Sequence, residues 1–253
     1  PNRRYMAGPR DWARPCIACW GSEVTALLLA AVSAVLYGIG DFWGGLSSRR
    51  AHIVHVLPAI LLSGIVTILA MMPLLGATYS HDAIVAGLVA GTFGTAGFFL
   101  VYLALAMGPM GVAKHPASRK MIVTAVLGGF AVAGFFLGLA LAPSDSGLAP
   151  LSITRLVQLA VIGSIAVVRR RSFRGDSPDY RMAIGAGVCD VFAAVAFIYA
   201  AHAGNLGVVA IVSNLYPAVT VLFAHFVIHE RLERHQIVGM LGACGSVALL
   251  TLA

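Results

Sequence analysis

Apolar residues in this chain form eight continuous stretches, each long enough to cross a lipid bilayer as a helix. The stretches cover roughly residues 25–46, 54–76, 83–107, 121–142, 148–168, 182–203, 206–228 and 236–253. A hydrocarbon core ~30 Å thick needs about 20 apolar residues per helix. Because the apolar residues are continuous instead of alternating with polar ones, the pattern indicates helices and not a β-barrel. We therefore predict an all-α, polytopic membrane bundle with one helix per stretch.

The basic residues decide how this bundle is oriented. Twelve lie in the loops after spans 1, 3, 5 and 7, and none lies in the loops after spans 2, 4 and 6. The twelve are Arg49, Arg50, Lys114, Arg119, Lys120, Arg169, Arg170, Arg171, Arg174, Arg181, Arg231 and Arg234. Loops rich in Lys and Arg face the cytoplasm. We expect a multi-pass protein of the inner, or plasma, membrane with both termini outside.

Composition supports a membrane protein and argues against a nucleic-acid partner. Hydrophobic residues make up 59% of the chain, and the mean hydropathy is +0.90, which is too apolar for a soluble domain of this size. The net charge of +7 comes from loop charges that form no stripe on a folded domain. The charge therefore reports membrane topology and not nucleic-acid binding.

The chain repeats itself at a shift of 96 residues. The best-matched pairs are Ala90 with Ala186, Gly91 with Gly187, Gly108 with Gly204, Gly111 with Gly207 and Val112 with Val208. Three spans separate the copies, so the second copy is inverted in the membrane, which is a common plan of secondary transporters. We assign residues 24–120 to a first repeat of three spans and 121–253 to a second of five. The first repeat lacks a helix pair.

Residues 1–23 differ from the rest of the chain. They are rich in Arg, Pro and Trp and contain no apolar signal core. We expect this tail to be disordered or to lie outside the natural reading frame, with Val24 as the initiator in the second case. A Cys-x-x-C pair in the tail has no second pair or His at zinc spacing, so no metal site is predicted.

The C-terminal block carries a family resemblance. A helix beginning near Tyr216-Pro217 leads to His229-Glu230-Arg231-Leu232, and a Gly-rich span follows. This block resembles the last two helices of an EamA-domain transporter of the drug/metabolite transporter superfamily, in which a Gly normally precedes the Glu-Arg-Leu turn. The resemblance implies a ten-helix, five-plus-five transporter. By comparison, this chain has three predicted spans in its first repeat and five in its second.

Three charged residues lie inside spans, namely Asp41, Arg155 and Asp190. A charge at mid-bilayer costs at least ~2.5–3.5 kcal/mol, so it usually faces a cavity or a partner. Asp41 is either an interfacial carboxylate or a proton or cation site. Arg155 either extends to the outer interface, pairs with one of the two aspartates, or binds an anionic substrate. Asp190 is the deepest carboxylate by residue count, and we interpret it as a proton carrier.

Asn214 and Tyr216 precede Pro217, whose backbone cannot donate a hydrogen bond and so breaks the helix. Such polar breaks often line transporter sites, although a kink satisfied by Asn214 is an equal alternative. The aromatic residues near these positions are more typical of packing than of a substrate cage. They are Tyr37, Phe98, Phe99, Tyr102, Phe192, Phe197 and Tyr199.

We predict a secondary transporter that exports a small metabolite or drug by alternating access, coupled to protons through Asp41 or Asp190. Its partners are then a small-molecule substrate, protons and the lipid bilayer. The sequence contains no nucleotide-binding loop, zinc motif or nucleophile elbow, so neither a cofactor nor an enzymatic activity is expected. Two alternatives stay open, a carrier or flippase of lipid-linked sugars and a truncated membrane protein or scaffold that transports nothing. The oligomeric state is not predicted.

Overall fold

The structure is a computed structural model that describes residues 17–50, 53–107, 119–169 and 180–229. All regular elements within these ranges are α-helices. They are α1 Ile17–Arg50, α2 Ile53–Leu75, α3 His81–Met107, α4 Arg119–Ala140, α5 Ala149–Arg169, α6 Tyr180–Ala203, α7 Leu206–Ser213 and α8 Tyr216–Ile228. Helices α7 and α8 are the two halves of one span.

Six spans in the described ranges are long and apolar enough to cross a membrane, and part of α5 forms a shorter apolar helix over Ala149–Ile165. The first seven predicted spans each coincide with a helix or a broken helix, and the eighth, 236–253, lies outside the described residues. Helix α1 begins at Ile17, so residues 17–23 of the predicted disordered tail are helical.

The bundle is held together by a few extensive helix contacts. Helix α1 packs along α6 and α3 packs along α4, while α2 contacts α6 and α5, and α3 also contacts α5. Outward-facing positions are large and apolar, such as Phe130 at 73% exposure and Val66 at 65%. Since a bilayer solvates such side chains as well as a protein core does, these surfaces fit a lipid environment.

Glycines allow the closest of these approaches. A Cβ at Gly91 of α3 would lie 2.8 Å from the Cβ of Val157 on α5, and one at Gly138 of α4 would lie 2.6 Å from the backbone nitrogen of Ala90. A Cβ at Gly187 of α6 would collide with the Ile60 carbonyl oxygen of α2. These helices therefore pack backbone to backbone, which small residues permit in lipid.

The loops after spans 2, 4 and 6 meet at one end of the bundle. The backbone nitrogen of Thr78 donates to the Ser146 carbonyl over 3.0 Å. The His202 ring donates to the Ala142 carbonyl over 2.9 Å. These are the loops without Lys or Arg, so the structure places them on one side, as the charge pattern requires.

The seventh span is broken where Pro217 predicted a break. Helix α7 ends at Ser213, and α8 begins at Tyr216 with the proline in its first turn. The Thr220 hydroxyl lies 3.1 Å from the carbonyl of Tyr216 and 3.2 Å from that of Gly38, which fixes α8 against α1. At the far end of α8, His229 has a φ of 57°, a left-handed conformation that favours glycine. In the family that the C-terminal block resembles, the Gly before the Glu-Arg-Leu turn stands at this position.

Candidate substrate-binding site

A cavity of about 420 Å³, counting the space at its open mouth, lies among five helices. Its walls come from α1, α3, α4, α6 and α8. The lining residues are Tyr37, Asp41, Gly94, Gly97, Phe98, Val101, Val132, Phe135, Phe136, Asp190 and Tyr216. Gly94 lies at the middle of α3, so the cavity is near the centre of the bundle.

A buried ion pair forms one side of this cavity. Nη2 of Arg155 on α5 pairs with Oδ2 of Asp190 on α6. Both residues are buried, at 1% and 7% exposure. The guanidinium also donates from Nη1 to Oε1 of Gln158 over 2.9 Å, and its Cζ lies 5.5 Å from the centroid of the Phe98 ring. Arg155 therefore stands behind the wall, and the Asp190 carboxylate and Phe98 ring stand between it and the cavity.

The backbone around Arg155 leaves room for its long side chain. A Cβ at Gly64 of α2 would lie 3.5 Å from Nε of Arg155, so a glycine here lets the guanidinium pass along α2. The neighbouring Thr154 donates its hydroxyl to the Gly87 carbonyl over 3.1 Å, which anchors α5 on α3. The arginine thus crosses from α5 to α6 between two fixed helices.

Asp41 lines the cavity from α1, the helix that packs along α6. It is half-buried and lies within electrostatic reach of the hydroxyls of Tyr37 and Tyr216. Trp43, two residues further on, packs instead against Gly185 of α6. Asp41 therefore faces the cavity, while Trp43 is part of the helix packing.

Aromatic rings cover most of the remaining wall. The Tyr37 and Phe136 rings meet edge to face with centroids 5.4 Å apart, and the Tyr37 and Tyr216 centroids are 5.9 Å apart. The Phe135 and Phe136 centroids are also 5.4 Å apart. The Oη of Tyr37 is buried and has no hydrogen-bond partner within the described part of the chain.

The candidate residues from sequence fall into two groups. Asp41, Asp190 and Tyr216 line the cavity, and Arg155 binds Asp190 directly behind it. Asn214 does not line the cavity. Its side chain is exposed and donates to the Ala210 carbonyl over 2.7 Å, which caps α7 at the break.

The cavity region also contains residues that the sequence interpretation did not propose for the site. Tyr37 and Phe98 line the cavity, although packing was favoured for them, and Phe135 and Phe136 were not proposed at all. Gln158 was missed as well, although it lies three residues after Arg155 on the same helical face, and that spacing was the available signal.

A second groove of about 690 Å³ lies on the surface between α3 and α5. Its lining is apolar apart from two threonines and shares no residue with the cavity. The lining residues are Thr92, Thr95, Ala96, Phe99, Val157, Val161, Ile162 and Ile165. Because no ionisable side chain lines this groove, it has no charged group that could bind a polar solute.

Comparison with known proteins adds one finding. The model of the EamA-like transporter family matches residues 119–252. No curated protein and no solved structure matches the chain. The match begins at the first residue of α4 and includes Arg155, Asp190 and Tyr216.

Proposed function

Since this chain belongs to the EamA-like transporter family, we propose that it is a secondary transporter that exports a small molecule through the central cavity by alternating access. One observation carries the proposal. A cavity near the middle of the bundle is walled by α1 and α3 of the first proposed repeat and by α4, α6 and α8 of the second, with a buried ion pair beside it. Transporters of inverted-repeat design hold their substrate in this place.

The helix contacts support an inverted repeat of three plus five spans. In such a repeat, α1 corresponds to α4, α2 to α5 and α3 to α6. The α1–α6 contact then corresponds to the α4–α3 contact, and the α2–α6 contact corresponds to the α5–α3 contact. Both members of each pair occur. The α2–α5 contact is its own equivalent, so a two-fold axis would pass between α2 and α5.

Individual residues follow the same exchange. Gly91 of α3 packs on Val157 of α5, and its equivalent at a shift of 96, Gly187 of α6, packs on α2 at Ile60 and Ser63. A shift of 96 places Val157 over Leu61, between those two residues. The equivalence supports a division into a first repeat that contains α1, α2 and α3 and a second repeat that begins with α4.

The ion pair gives the transport cycle a proton-sensitive element. Within the described residues, α5 and α6 have little direct packing, and the Arg155 side chain joins them. Protonation of Asp190 removes the negative charge of the pair and weakens the attraction that joins α5 to α6. A proton entering from the cavity thereby favours a second arrangement of α5 and α6, which is how a ligand shifts a two-state equilibrium.

The orientation of the protein is testable by cysteine labelling. Ser144 is exposed in the loop after α4, and Ser177 lies in the basic loop after span 5. In a variant whose four native cysteines are serine, we expect a membrane-impermeant maleimide to label Ser144→Cys on intact cells. Ser177→Cys should react only after permeabilisation, because its loop is cytoplasmic. Labelling of Ser177→Cys on intact cells would reverse the proposed orientation.

Transport itself is tested in proteoliposomes loaded with a pH-sensitive dye under an imposed pH gradient. The panel contains amines, amino acids, neutral aromatic compounds and aromatic acids, added one at a time. We expect at least one solute to change the proton flux beyond that of protein-free liposomes. A protein that moves no solute, although monodisperse and folded, would favour the non-transporting alternative.

A further inference from the structure

The Gln158 side chain has a hydrogen-bond donor that the described part of the fold does not use. This residue is buried on α5, and its Oε1 accepts from Nη1 of Arg155 over 2.9 Å. Because an arginine side chain can only donate, this bond fixes which end of the carboxamide is the oxygen. The other end, Nε2, is buried and has no hydrogen-bond partner within the described ranges. A buried amide nitrogen without an acceptor costs free energy, so a bound acceptor would be stabilised here.

A glycine on α3 separates this donor from the cavity. A Cβ at Gly94 would lie 2.6 Å from Nε2 of Gln158 and 2.9 Å from Cδ2 of Phe135. Gly94 and Phe135 both line the cavity, whereas Gln158 lies behind them. An N–H···O hydrogen bond spans about 2.7–3.2 Å between its heavy atoms. Because Gly94 has no side chain, a solute oxygen that enters beside it comes within this distance of Nε2.

Tyr37 provides a second unpaired polar group in the same cavity. Its Oη is buried and has no hydrogen-bond partner among the residues that the structure describes. The Tyr37 and Phe136 centroids are 5.4 Å apart, as are those of Phe135 and Phe136, so a row of rings connects this hydroxyl with the surroundings of Gly94. The cavity thus combines an aromatic wall with two hydrogen-bonding groups, on α1 and α5, that the described protein leaves unpaired.

We propose that Gln158 binds the substrate, by donating a hydrogen bond from Nε2 past Gly94 to a carbonyl oxygen of an aromatic solute. The solute ring packs against Phe135 and Phe136, since aromatic walls accept other rings. A site that donates to a solute oxygen discriminates against an analogue without it, because the buried donor is then left unpaired. This inference rests on the proposed transport function and names its substrate class, an aromatic carbonyl compound.

The test is equilibrium binding to the purified full chain in detergent, with two naphthalenes substituted at the same ring position. Acetylnaphthalene contains the carbonyl group, and isopropenylnaphthalene has a methylene group in place of the oxygen. Micelles without protein give the blank for each solute. We expect the ketone to bind about fivefold more tightly than the alkene, which corresponds to one hydrogen bond between neutral groups.

Two variants assign this preference to the Gln158 amide. Gln158→Met removes the donor and keeps a side chain of similar length, while Gly94→Ala fills the gap between the amide and the cavity. In both, the ketone and the alkene should bind within about twofold of each other. Gln158 keeps both amide atoms in Gly94→Ala, so this variant separates substrate binding from a role of Gln158 in holding Arg155. Retained binding of the alkene shows that each variant is folded.

Gly97→Ala is the matched control. Gly97 also lines the cavity from α3, but a Cβ there would lie 3.2 Å from Cγ2 of Val132, and none of its nearest neighbours belongs to Gln158. The added methyl group should change the binding of both solutes to the same degree. The control should therefore keep the preference of about fivefold for the ketone.

Each other outcome overturns the assignment. Equal binding of ketone and alkene by the unaltered protein contradicts a donor that reaches the solute. A preference that persists in Gln158→Met assigns the hydrogen bond to another group, such as the Tyr37 hydroxyl, and one that persists in Gly94→Ala contradicts access past Gly94. Loss of the preference in Gly97→Ala as well shows that any added methyl group on this wall removes it.

Absence of binding for both solutes excludes aromatic carbonyl compounds of this size. The transport screen separates these failures from failure of the proposed function. A protein that moves a solute without a carbonyl group remains a transporter with another substrate class, whereas one that moves no solute at all fails the proposed function itself.

Discussion

Asp190→Asn is expected to destabilise the protein by about 3–5 kcal/mol and to abolish transport driven by a pH gradient. The stability loss follows because the amide leaves the Arg155 guanidinium buried without its counter-charge. The transport loss follows because an amide cannot take up the proton that separates the two states. Unfolding in denaturing detergent gives the first quantity, and dye-monitored proton flux in proteoliposomes gives the second.

A double variant separates folding from function. Arg155→Met with Asp190→Leu replaces the pair by apolar side chains of similar size, and such replacements of buried ion pairs are often neutral or stabilising. We expect the double variant to regain most of the stability lost in Asp190→Asn while gradient-driven transport stays absent.

Two results would contradict this account of the pair. Asp190→Asn protein as stable as the unaltered protein would mean that the ion pair is not formed in the bilayer. Gradient-driven transport by the double variant, at any rate above the liposome background, would mean that neither charge carries the proton. In that case Asp41 becomes the residue to test.

Gly187→Ala is expected to cost about 3 kcal/mol of stability, the upper end of the usual penalty for overpacking a core. The added methyl group would collide with the Ile60 carbonyl oxygen and the Ser63 hydroxyl on α2. The carbonyl belongs to a helix backbone and cannot rotate away, so α2 and α6 must separate. Because α6 carries Asp190, the same separation should impair transport. Thermal unfolding of the purified protein measures the stability.

Gly129→Ala is the matched control. This glycine lies on α4, and a Cβ there would meet no atom within 4 Å. Alanine is also a better helix former than glycine, by about 1 kcal/mol in a helix interior. The control should therefore be as stable as the unaltered protein or slightly more so. Equal losses in both variants would show that α6 does not approach α2 as closely as described.

Hydropathy predicted the long apolar helices well because it acts through the bilayer and not through a particular neighbour. An apolar run of sufficient length becomes a span whatever surrounds it, as α2, α3 and α6 illustrate. Pro217 likewise predicted the break between α7 and α8, since the missing backbone donor is a local property. The family resemblance was confirmed by the match over residues 119–252.

Which helices contact each other could not be predicted from the sequence in this way. Sequence left Arg155 with three possible roles, and the structure places its guanidinium on Asp190, 35 residues further along the chain. Helical periodicity tells which residues share a face, as with Arg155 and Gln158, but not which helix that face meets. That depends on the rotation of each helix about its axis.

The sequence by itself determined which described segments form long apolar helices, that the loops without Lys or Arg lie on one side, and which charged residues are too costly to leave in lipid. Only the tertiary structure decided that Asp41 and Asp190 face one cavity, that Phe135 and Phe136 form its wall, and that Asn214 points away. The physical reason is that hydrophobic length is a property of one segment. A binding site, in contrast, is set by how glycines such as Gly187 let neighbouring helices approach and rotate.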